Sequence, residues 1–279
     1  MTGNEPKRTL ANQVGFWAVN KRILAAGAAF FLMVSVGSVE AAQCGSTAAG
    51  FGNWKDAFAP EAKASGIGVR GLSALAGTNY ATATIYADRH QKSFKLSLAQ
   101  FMAKRGAATI ISRGRSMKAA NAALFASIEA KYGVPAGPLI AIWGMETAFG
   151  AVSGNQNTIS AVATLAYDCR RTDFFTEQLL AALKLIDKGT LSAGSRGAMH
   201  GEVGQTQFLP KNILLYGVGG SLTGKSAALM STANFLRGHG WRAGGGYQPG
   251  EANFGAIQGW NAATVYQKAI AIIGQQIDG

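Results

Sequence analysis

The sequence predicts a mainly α-helical protein, and three observations support this prediction. Hydrophobic residues make up 48% of the 279 positions, which is enough for a sizeable core. Apolar residues recur at helical spacing through most of the chain after residue 42. Alternating patterns typical of half-buried strands are nearly absent. The length fits one large domain or two small ones.

The helical pattern divides into nine segments. Gly133 ends one long segment, and Pro135 suits the first turn of the next helix. We expect helices over 53–63, 96–104, 107–132, 134–149, 158–167, 174–187, 208–216, 222–239 and 262–276. Glycine-rich joints separate several of them. The sequence therefore predicts a small N-terminal helical segment, 42–105, followed by a larger helical domain, 106–279.

The first 41 residues have the pattern of a secretory signal peptide. Lys21 and Arg22 precede an apolar run over 23–36, and small residues follow up to Ala42. A basic region, a short apolar core and a small-residue cleavage site are typical of such signals. The apolar run is short for a membrane span. We expect cleavage after Ala41 or Ala42, which predicts an exported, periplasmic protein without an integral membrane domain. An uncleaved anchor is the alternative.

The formal net charge is +12, from 26 basic and 14 acidic residues. Such a charge favours an anionic partner, which could be nucleic acid, anionic lipid or an anionic cell-wall polymer, or it simply keeps a soluble protein dispersed. Basic runs never exceed two residues, and aromatic residues do not alternate with them. This pattern argues against a nucleic-acid partner.

Only two cysteines are present, Cys44 and Cys169, and both follow the expected cleavage site. Two cysteines in an exported chain most simply form one disulfide. The predicted bond would join the N-terminus of the mature protein to the middle of the fold.

A single carboxylate, Glu146, ends the apolar run "LIAIWGM" and precedes "TAF". A charged group is costly to bury, so such a conflict is typical of a site that performs chemistry. Burial and the negative end of the helix dipole would both raise the pKa of Glu146. A carboxyl group that stays protonated near neutral pH is suited to general-acid catalysis. A capping or salt-bridged glutamate is the plainer interpretation.

Five ordered segments resemble one family. The segment around Glu146, "YGVPAGPLIAIWGMETAFG", resembles the catalytic helix of exported lytic murein transglycosylases, and most closely that of the membrane-bound lytic transglycosylase B family. "GEVGQTQFLP" resembles the family's G-x-x-G-x-x-Q-F-x-P motif. The other three segments are "TLAYDCRRTDFF", "ANFLRGHGW" and "NFGAIQGWNAATVYQKAI". The resemblance covers nearly all of the mature chain. It implies a lysozyme-like, goose-type-like helical domain over 106–279.

The resemblance also implies a reaction on peptidoglycan glycan strands. Glu146 would protonate the glycosidic oxygen between N-acetylmuramic acid and N-acetylglucosamine. It would then act as base toward the C6 hydroxyl of the muramoyl residue, which attacks C1 and forms a 1,6-anhydro product. No cofactor is needed. Cell-envelope or secretion machinery is a candidate partner.

Further site residues follow from the resemblance. Gln207, and more weakly Gln205, would contact the sugar. Arg170 and Arg171 would meet the peptide stem or the lactyl carboxylate, a contact that guanidinium groups make well. The substrate-facing residues of the C-terminal segments would be Trp260, Asn261 and Tyr266, and Tyr266 could alternatively donate to Glu146 or simply pack.

The chain departs from the family pattern at two places. The stretch 216–227 contains no acidic residue where many relatives have an Asp-rich loop, so we expect no calcium there and no metal site elsewhere. "SRGAMHGE" places His200 and Glu202 close to the Gln207 motif. His200 is interpreted as a loop residue, and Glu202 as a candidate second carboxylate.

Two other functions remain open at this point. A lysozyme-type muramidase would use Glu202 or Asp168 as a helper for hydrolysis. A non-catalytic glycan-binding or secretion-assembly module would keep the cleft without the reaction. Product mass separates the first from a transglycosylase, and lysis of cell walls separates the second.

Overall fold

The predicted mainly α-helical fold is confirmed. A computed structural model describes residues 42–90 and 96–279, and within them it shows thirteen α-helices. They are α1 (Phe51–Ala64), α2 (Val69–Ala76), α3 (Thr82–Arg89), α4 (Leu98–Lys104), α5 (Ala107–Ala120), α6 (Ala122–Tyr132), α7 (Ala136–Thr147), α8 (Thr158–Tyr167), α9 (Thr172–Asp187), α10 (Pro210–Tyr216), α11 (Lys225–Gly238), α12 (Phe254–Trp260) and α13 (Thr264–Asp278). Two short strands, β1 (Gln156–Asn157) and β2 (Arg196–Gly197), pair antiparallel.

Helix α7 lies at the centre of the core. Nearly all of its residues are buried, and it packs against α5, α6, α11 and α13. The approach to α13 is close, because a Cβ atom added at Gly137 would lie only 2.3 Å from the Gly274 carbonyl oxygen. A helix that is apolar on all sides is buried in the core, where the packing of its neighbours fixes its position. The last turn of α7 is thus a fixed platform for Glu146.

The prediction of one continuous helix over 107–132 is wrong, because the structure has two helices there, α5 and α6, which are separated at Asn121. Asn121 has a φ of −125°, outside the helical range, and its side-chain amide donates to the Met117 carbonyl at 2.8 Å. Lys225 donates to the oxygen of the same amide. Asparagine competes with the helix for backbone hydrogen bonds, so a break at this residue has a local cause.

The N-terminal segment packs on the helices that follow residue 106. Asp187, at the end of α9, accepts hydrogen bonds from the Gly68 and Gly71 amides at 2.6 and 2.8 Å. These amides open α2, where unsatisfied N–H groups favour a carboxylate. Helices α2 and α3, and the separate helix α12, were not expected from the sequence. The predicted boundary at residue 105 stays a prediction.

The predicted disulfide is present. Cys44 and Cys169 are bonded, with their Cα atoms 5.0 Å apart and 125 positions separating them in sequence. Next to the bond, the Gly45 amide donates to the Tyr167 carbonyl at 2.9 Å. Tyr167 packs against Phe51 and Trp54 of α1. The disulfide therefore fixes the first described residues onto the end of α8.

None of the described helices is both long and apolar enough to cross a membrane. The predicted signal peptide, 1–41, lies outside the described residues.

Candidate active site

The backbone around Glu146 is held in an unusual conformation. Helix α7 ends at Thr147, and the next two residues, Ala148 and Phe149, have positive φ angles of 49° and 65°. The Thr147 hydroxyl donates to the Gln205 carbonyl at 2.6 Å and accepts from the Gly150 amide at 2.8 Å. Strained backbone of this kind persists only where neighbours hold it, and it is concentrated at functional sites.

Two donors from the C-terminal part of the chain meet on one oxygen of Glu146. The Tyr266 hydroxyl donates to Oε1 at 2.6 Å, and the Trp260 indole Nε1 donates to the same oxygen at 3.2 Å. Arg105 stacks on the Tyr266 ring, with its guanidinium carbon 5.5 Å from the ring centroid. The carboxyl group is therefore oriented through Oε1, and no described donor occupies Oε2.

The pKa of Glu146 lies above its usual value. Burial is the main cause, because the charged form loses its hydration. The hydrogen bonds from Tyr266 and Trp260 and the charge of Arg105 lower the pKa, while the negative charge of Glu202 raises it, and burial prevails. This direction agrees with the sequence-based expectation. A carboxyl group in this state can supply a proton near neutral pH.

Glu146 opens into a cavity of about 360 Å³. Most of the lining comes from two places: the loop before α10, and the junction of α12 and α13. The lining residues are Glu146, Ala198, Glu202, Gln207, Phe208, Leu209, Asn212, Trp260 and Asn261. Four polar side chains besides Glu146 thus surround a space of the size that sugar-binding sites need.

Gln207 and Asn261 both line this cavity. Gln207 has a positive φ of 57°, and its side-chain amide nitrogen donates to the carbonyls of Gly204 and Ser153 at 2.8 and 3.3 Å. Asn261 accepts from the Ala263 amide through its side-chain oxygen at 2.9 Å. Both amides are therefore fixed before any ligand arrives, which lowers the entropic cost of binding.

Trp260 lines the cavity and is also packed from behind. Its ring makes edge contacts with Phe208 and Phe235, at centroid distances of 5.2 and 5.1 Å. The indole is held in one orientation by these contacts and by its hydrogen bond to Glu146. It can therefore present an apolar surface to a sugar ring while it positions the carboxyl group.

Two residues predicted to bind substrate have structural contacts instead. The side-chain amide of Gln205 accepts from Trp143 Nε1 at 2.9 Å and donates to the Thr223 carbonyl at 2.7 Å, so both of its ends are engaged away from the cavity. Tyr266 is only 5% exposed, and its hydroxyl is directed to Glu146. This contact supports donation to Glu146 as the role of Tyr266.

Arg170 and Arg171 make a contact that the sequence did not predict. Both guanidinium groups pair with Asp88 of α3, a side chain that is 3% exposed, and the Arg170 contact measures 2.6 Å. Neither arginine lines the cavity around Glu146. A buried anion requires cationic partners. The carboxylate that the two arginines bind in this structure is thus Asp88 of the same chain. Asp168 is likewise paired, with Arg89 at 2.8 Å, and does not line the cavity.

Glu202 is the second carboxylate of the cavity. Its Oε2 accepts from the His200 amide at 3.0 Å, and its Oε1 lies 3.4 Å from Nδ1 of the His200 ring. Burial alone would raise the pKa of Glu202, but the hydrogen bonds and charge of His200 outweigh it and hold that pKa below its usual value. The pKa values of the two carboxyl groups in the cavity, Glu146 and Glu202, are thus shifted in opposite directions.

Asn212 is a polar cavity residue that the sequence did not single out. It lies in the first turn of α10, and its backbone amide donates to the Leu209 carbonyl at 3.0 Å. Pro210 opens that helix. A helix begun at Pro210 places Leu209 and Asn212 on one face, three residues apart, so the Q-F-x-P pattern contains the signal that would have located Asn212.

Comparison with known proteins shows similarity to one family. The sequence profile of the family "Transglycosylase SLT domain" matches residues 50–250. The membrane-bound lytic murein transglycosylase B of Escherichia coli K12 is 32% identical over 118 residues, which cover 39% of this chain and 33% of that protein. The alignment therefore spans about a third of the length of this curated relative.

Solved structures extend the similarity to most of the described chain. SltB3 from Pseudomonas aeruginosa, in complex with NAG-anhNAM-pentapeptide, is 28% identical with a TM-score of 0.75, over 82% of this chain and 80% of SltB3. Slt35 from Escherichia coli is 19% identical with a TM-score of 0.69, over 85% and 96% of the two chains, which shows a shared fold. This chain belongs to the transglycosylase SLT domain family.

Proposed function

We propose that this protein is an exported lytic transglycosylase that cleaves the β-1,4 bond between N-acetylmuramic acid and N-acetylglucosamine in peptidoglycan. The observation that supports this most directly is the state of Glu146, a carboxyl group with a raised pKa at the edge of a polar cavity. Solved complexes of SltB3 with NAG-anhNAM-pentapeptide and NAG-NAM-pentapeptide support the substrate class.

The reaction would begin with proton transfer from Glu146 to the glycosidic oxygen. The bond between that oxygen and C1 breaks, and positive charge develops on the muramoyl C1. The C6 hydroxyl of the same sugar then attacks C1 and returns its proton to Glu146. Because nucleophile and electrophile lie in one bound residue, the entropic cost of bringing them together is small.

The other cavity residues would bind and orient the sugar. Gln207, Asn212 and Asn261 present amide groups suited to hydroxyl and acetamido groups, and Trp260 offers a ring face. Tyr266 would keep Glu146 in a single orientation as its proton leaves and returns. We retain contact of Arg170 and Arg171 with a peptide stem only as a secondary proposal, since Asp88 already engages both.

Hydrolysis by a lysozyme-type mechanism is the second candidate, and Glu202 is the observation that favours it. A hydrolase of this kind needs a second carboxylate as nucleophile or base. Glu202 shares the cavity with Glu146 and has a lowered pKa. The two functions differ in their products, because hydrolysis adds a water molecule that the intramolecular reaction excludes.

Product analysis distinguishes the candidates. Purified sacculi are digested in oxygen-labelled water, and the soluble fragments are analysed by mass spectrometry. We expect 1,6-anhydro-muramoyl ends without incorporated label, whereas a lysozyme digest run in parallel gives labelled reducing ends. Labelled reducing ends from this protein would establish the hydrolase instead. Absence of soluble fragments from the wild type, with intact binding to sacculi, would indicate a non-catalytic glycan-binding module.

We further propose that the protein acts in the periplasm. The signal-like pattern over 1–41 and the Cys44–Cys169 disulfide are both typical of exported chains. Peptidoglycan lies in that compartment, as does the cell-envelope or secretion machinery that such an enzyme would serve. Fractionation of cells, with the processed N-terminus identified by sequencing, tests the localisation.

A further inference from the structure

A chain of ionisable side chains in contact with one another runs from the cavity into the interior of the protein. Glu202 contacts His200 in the cavity wall, and Nε2 of the His200 ring lies 3.7 Å from Oδ1 of Asp88. Asp88 is buried on α3, where it also pairs with Arg170 and Arg171. His200 therefore lies between two carboxylates, one in the cavity and one in the interior.

The loop that carries Glu202 is tightly built. The Glu202 carbonyl accepts from the Ala198 amide at 2.9 Å. A side chain at Gly197 would lie 1.9 Å from that carbonyl, so the two segments touch at the backbone. Both oxygens of the Glu202 carboxylate also have a contact with His200, one with the amide and one with the ring. The glycine residues of this loop thus permit close backbone packing rather than conformational freedom.

The charged groups that face Glu202 come from several elements. Glu146 faces it from α7, the ring of His200 from its own loop, and Arg171 from the start of α9, where the charge of Glu202 acts on the guanidinium. Two carboxylates in one cavity repel each other when both are ionised. An arrangement that fixes one as the anion favours the other as the proton donor.

We propose that Glu202 is a catalytic anion, and that His200, braced by Asp88, is the positioning residue that holds it in the cavity. This inference rests on the proposed glycan cleavage. As the glycosidic bond breaks, C1 becomes positively charged, and a nearby fixed carboxylate stabilises that charge. Glu202 stays ionised throughout and forms no bond, while Glu146 gives up and regains the proton. A preoriented anion needs no reorganisation during the reaction.

Kinetics of variants on purified sacculi test the inference. Glu202→Gln keeps the shape and removes the charge, and we expect kcat to fall about 100-fold with KM little changed. His200→Ala removes the ring contact and retains the backbone hydrogen bond, so kcat should fall roughly 10-fold. The Asn variant of His200 should recover part of this loss. His90→Gln changes an exposed histidine at the end of α3 and should behave as the wild type.

The pH profile separates positioning from general support of the fold. The His200 ring lowers the pKa of Glu202, so in His200→Ala the acidic limb of the kcat/KM profile should move to higher pH. A variant that merely weakened the fold would lose activity equally at all pH values at which it is folded. Titration of the Glu202 carboxyl carbon by NMR measures the same shift without any turnover.

Three results would overturn the inference. They are a Glu202→Gln variant with more than a third of wild-type kcat, a His200→Ala profile that superimposes on the wild type, and a Glu202 carboxyl carbon that titrates as an ordinary glutamate in the wild type. Failure of the proposed function gives a different result, since it would change the product from anhydro to reducing ends. The NMR titration remains decisive for the His200–Glu202 contact in either case.

Discussion

The hydroxyl of Tyr266 donates to Oε1 of Glu146 at 2.6 Å, from a helix that lies 120 residues further along the chain. Burial and the nearby Glu146 both raise the pKa of Tyr266 well above its usual value, so the phenol remains a neutral donor. One buried donor thus fixes which oxygen of Glu146 is turned inward. The other oxygen is left for the substrate.

Tyr266→Phe should lower kcat about 10-fold, because the hydrogen bond stabilises the negative charge that forms on Glu146 as its proton leaves. The hydrogen bond favours the ionised form of Glu146 and lowers its pKa, so its loss should raise that pKa further. The basic limb of the pH–rate profile, where Glu146 loses its proton, should therefore move to higher pH. Tyr132→Phe is the matched control, since its buried hydroxyl has no partner among the described residues. An unchanged basic limb would contradict the assignment.

Glu146→Gln should abolish release of soluble fragments from sacculi and leave the fold intact. Loss of a general acid typically costs 10²–10⁴-fold in rate. Glutamine can still accept hydrogen bonds from Tyr266 and Trp260, so thermal unfolding should remain cooperative. Glu129→Gln alters an exposed carboxylate on α6 and should retain full activity. If Glu146→Gln kept more than about a tenth of wild-type activity, Glu146 would not be the acid.

Glu146 and Glu202 should affect the stability of the folded protein in opposite directions. Glu146 has a raised pKa in the folded state, so its favourable contribution is complete below its unfolded pKa and is lost as pH rises through the folded value. Glu146→Gln should therefore raise Tm at neutral pH, by an amount that shrinks toward acid. Glu202 has a lowered pKa, so its contribution is present above its unfolded pKa and is lost as pH falls.

Glu202→Gln should accordingly lower Tm at neutral pH, and the difference from the wild type should shrink in acid. Thermal unfolding followed by circular dichroism between about pH 4 and pH 8 measures both variants. Shifts of the same sign for the two variants at neutral pH would show that one of the two pKa directions is wrong.

Replacement of both Cys44 and Cys169 by serine should destabilise the protein without changing the helical content. The chain-entropy estimate for a loop closed over 125 positions is about 4–5 kcal/mol, an upper bound. Urea unfolding measures the loss. Thiol labelling of the native, non-reduced wild type should find no free thiol, and two reactive thiols per chain would refute the disulfide.

Arg170→Ala and Arg171→Ala should act through the buried Asp88. Breaking a buried pair costs several kcal/mol, but both arginines are 40–48% exposed, so we expect roughly 1–3 kcal/mol. Any loss of kcat/KM should be equal on sacculi and on glycan strands stripped of peptide stems. A loss confined to the peptide-bearing substrate would instead support direct contact with the stem.

The sequence predicted best what neighbouring residues decide. The predicted helix over 158–167 has the bounds of α8, because a mostly apolar segment follows Asn157, whose side chain accepts from the Ser160 amide and caps the helix. Glu146 was located because its conflict with an apolar run is visible locally. Trp260 and Asn261 were located through the resemblance of their segment to a family.

Most hydrogen bonds and ion pairs between distant side chains could not be predicted, whereas the disulfide could, because the sequence has only two cysteines. Arg170 meets Asp88 across 82 positions, and Asn121 meets Lys225 across 104. Nothing local distinguishes an arginine that binds substrate from one that holds a buried aspartate, because the difference lies in which elements the fold brings together. Glu202 shows the same limit, since its glycine-rich surroundings do not reveal the contacts with His200 that hold its carboxylate.

The Cys44–Cys169 bond also determines how the protein would respond to force. Cys44 is near the first described residue, and Cys169 immediately precedes the two arginines that hold Asp88. A pull on the N-terminal end near Ala42 would pass through the disulfide into the segment between α8 and α9, and α1 would carry little of it. In the reduced protein the same pull would first strip α1 from Tyr167. The disulfide therefore transmits a force on the N-terminal end of the fold to the arginines that pair with Asp88. Asp88 in turn contacts His200, which holds Glu202.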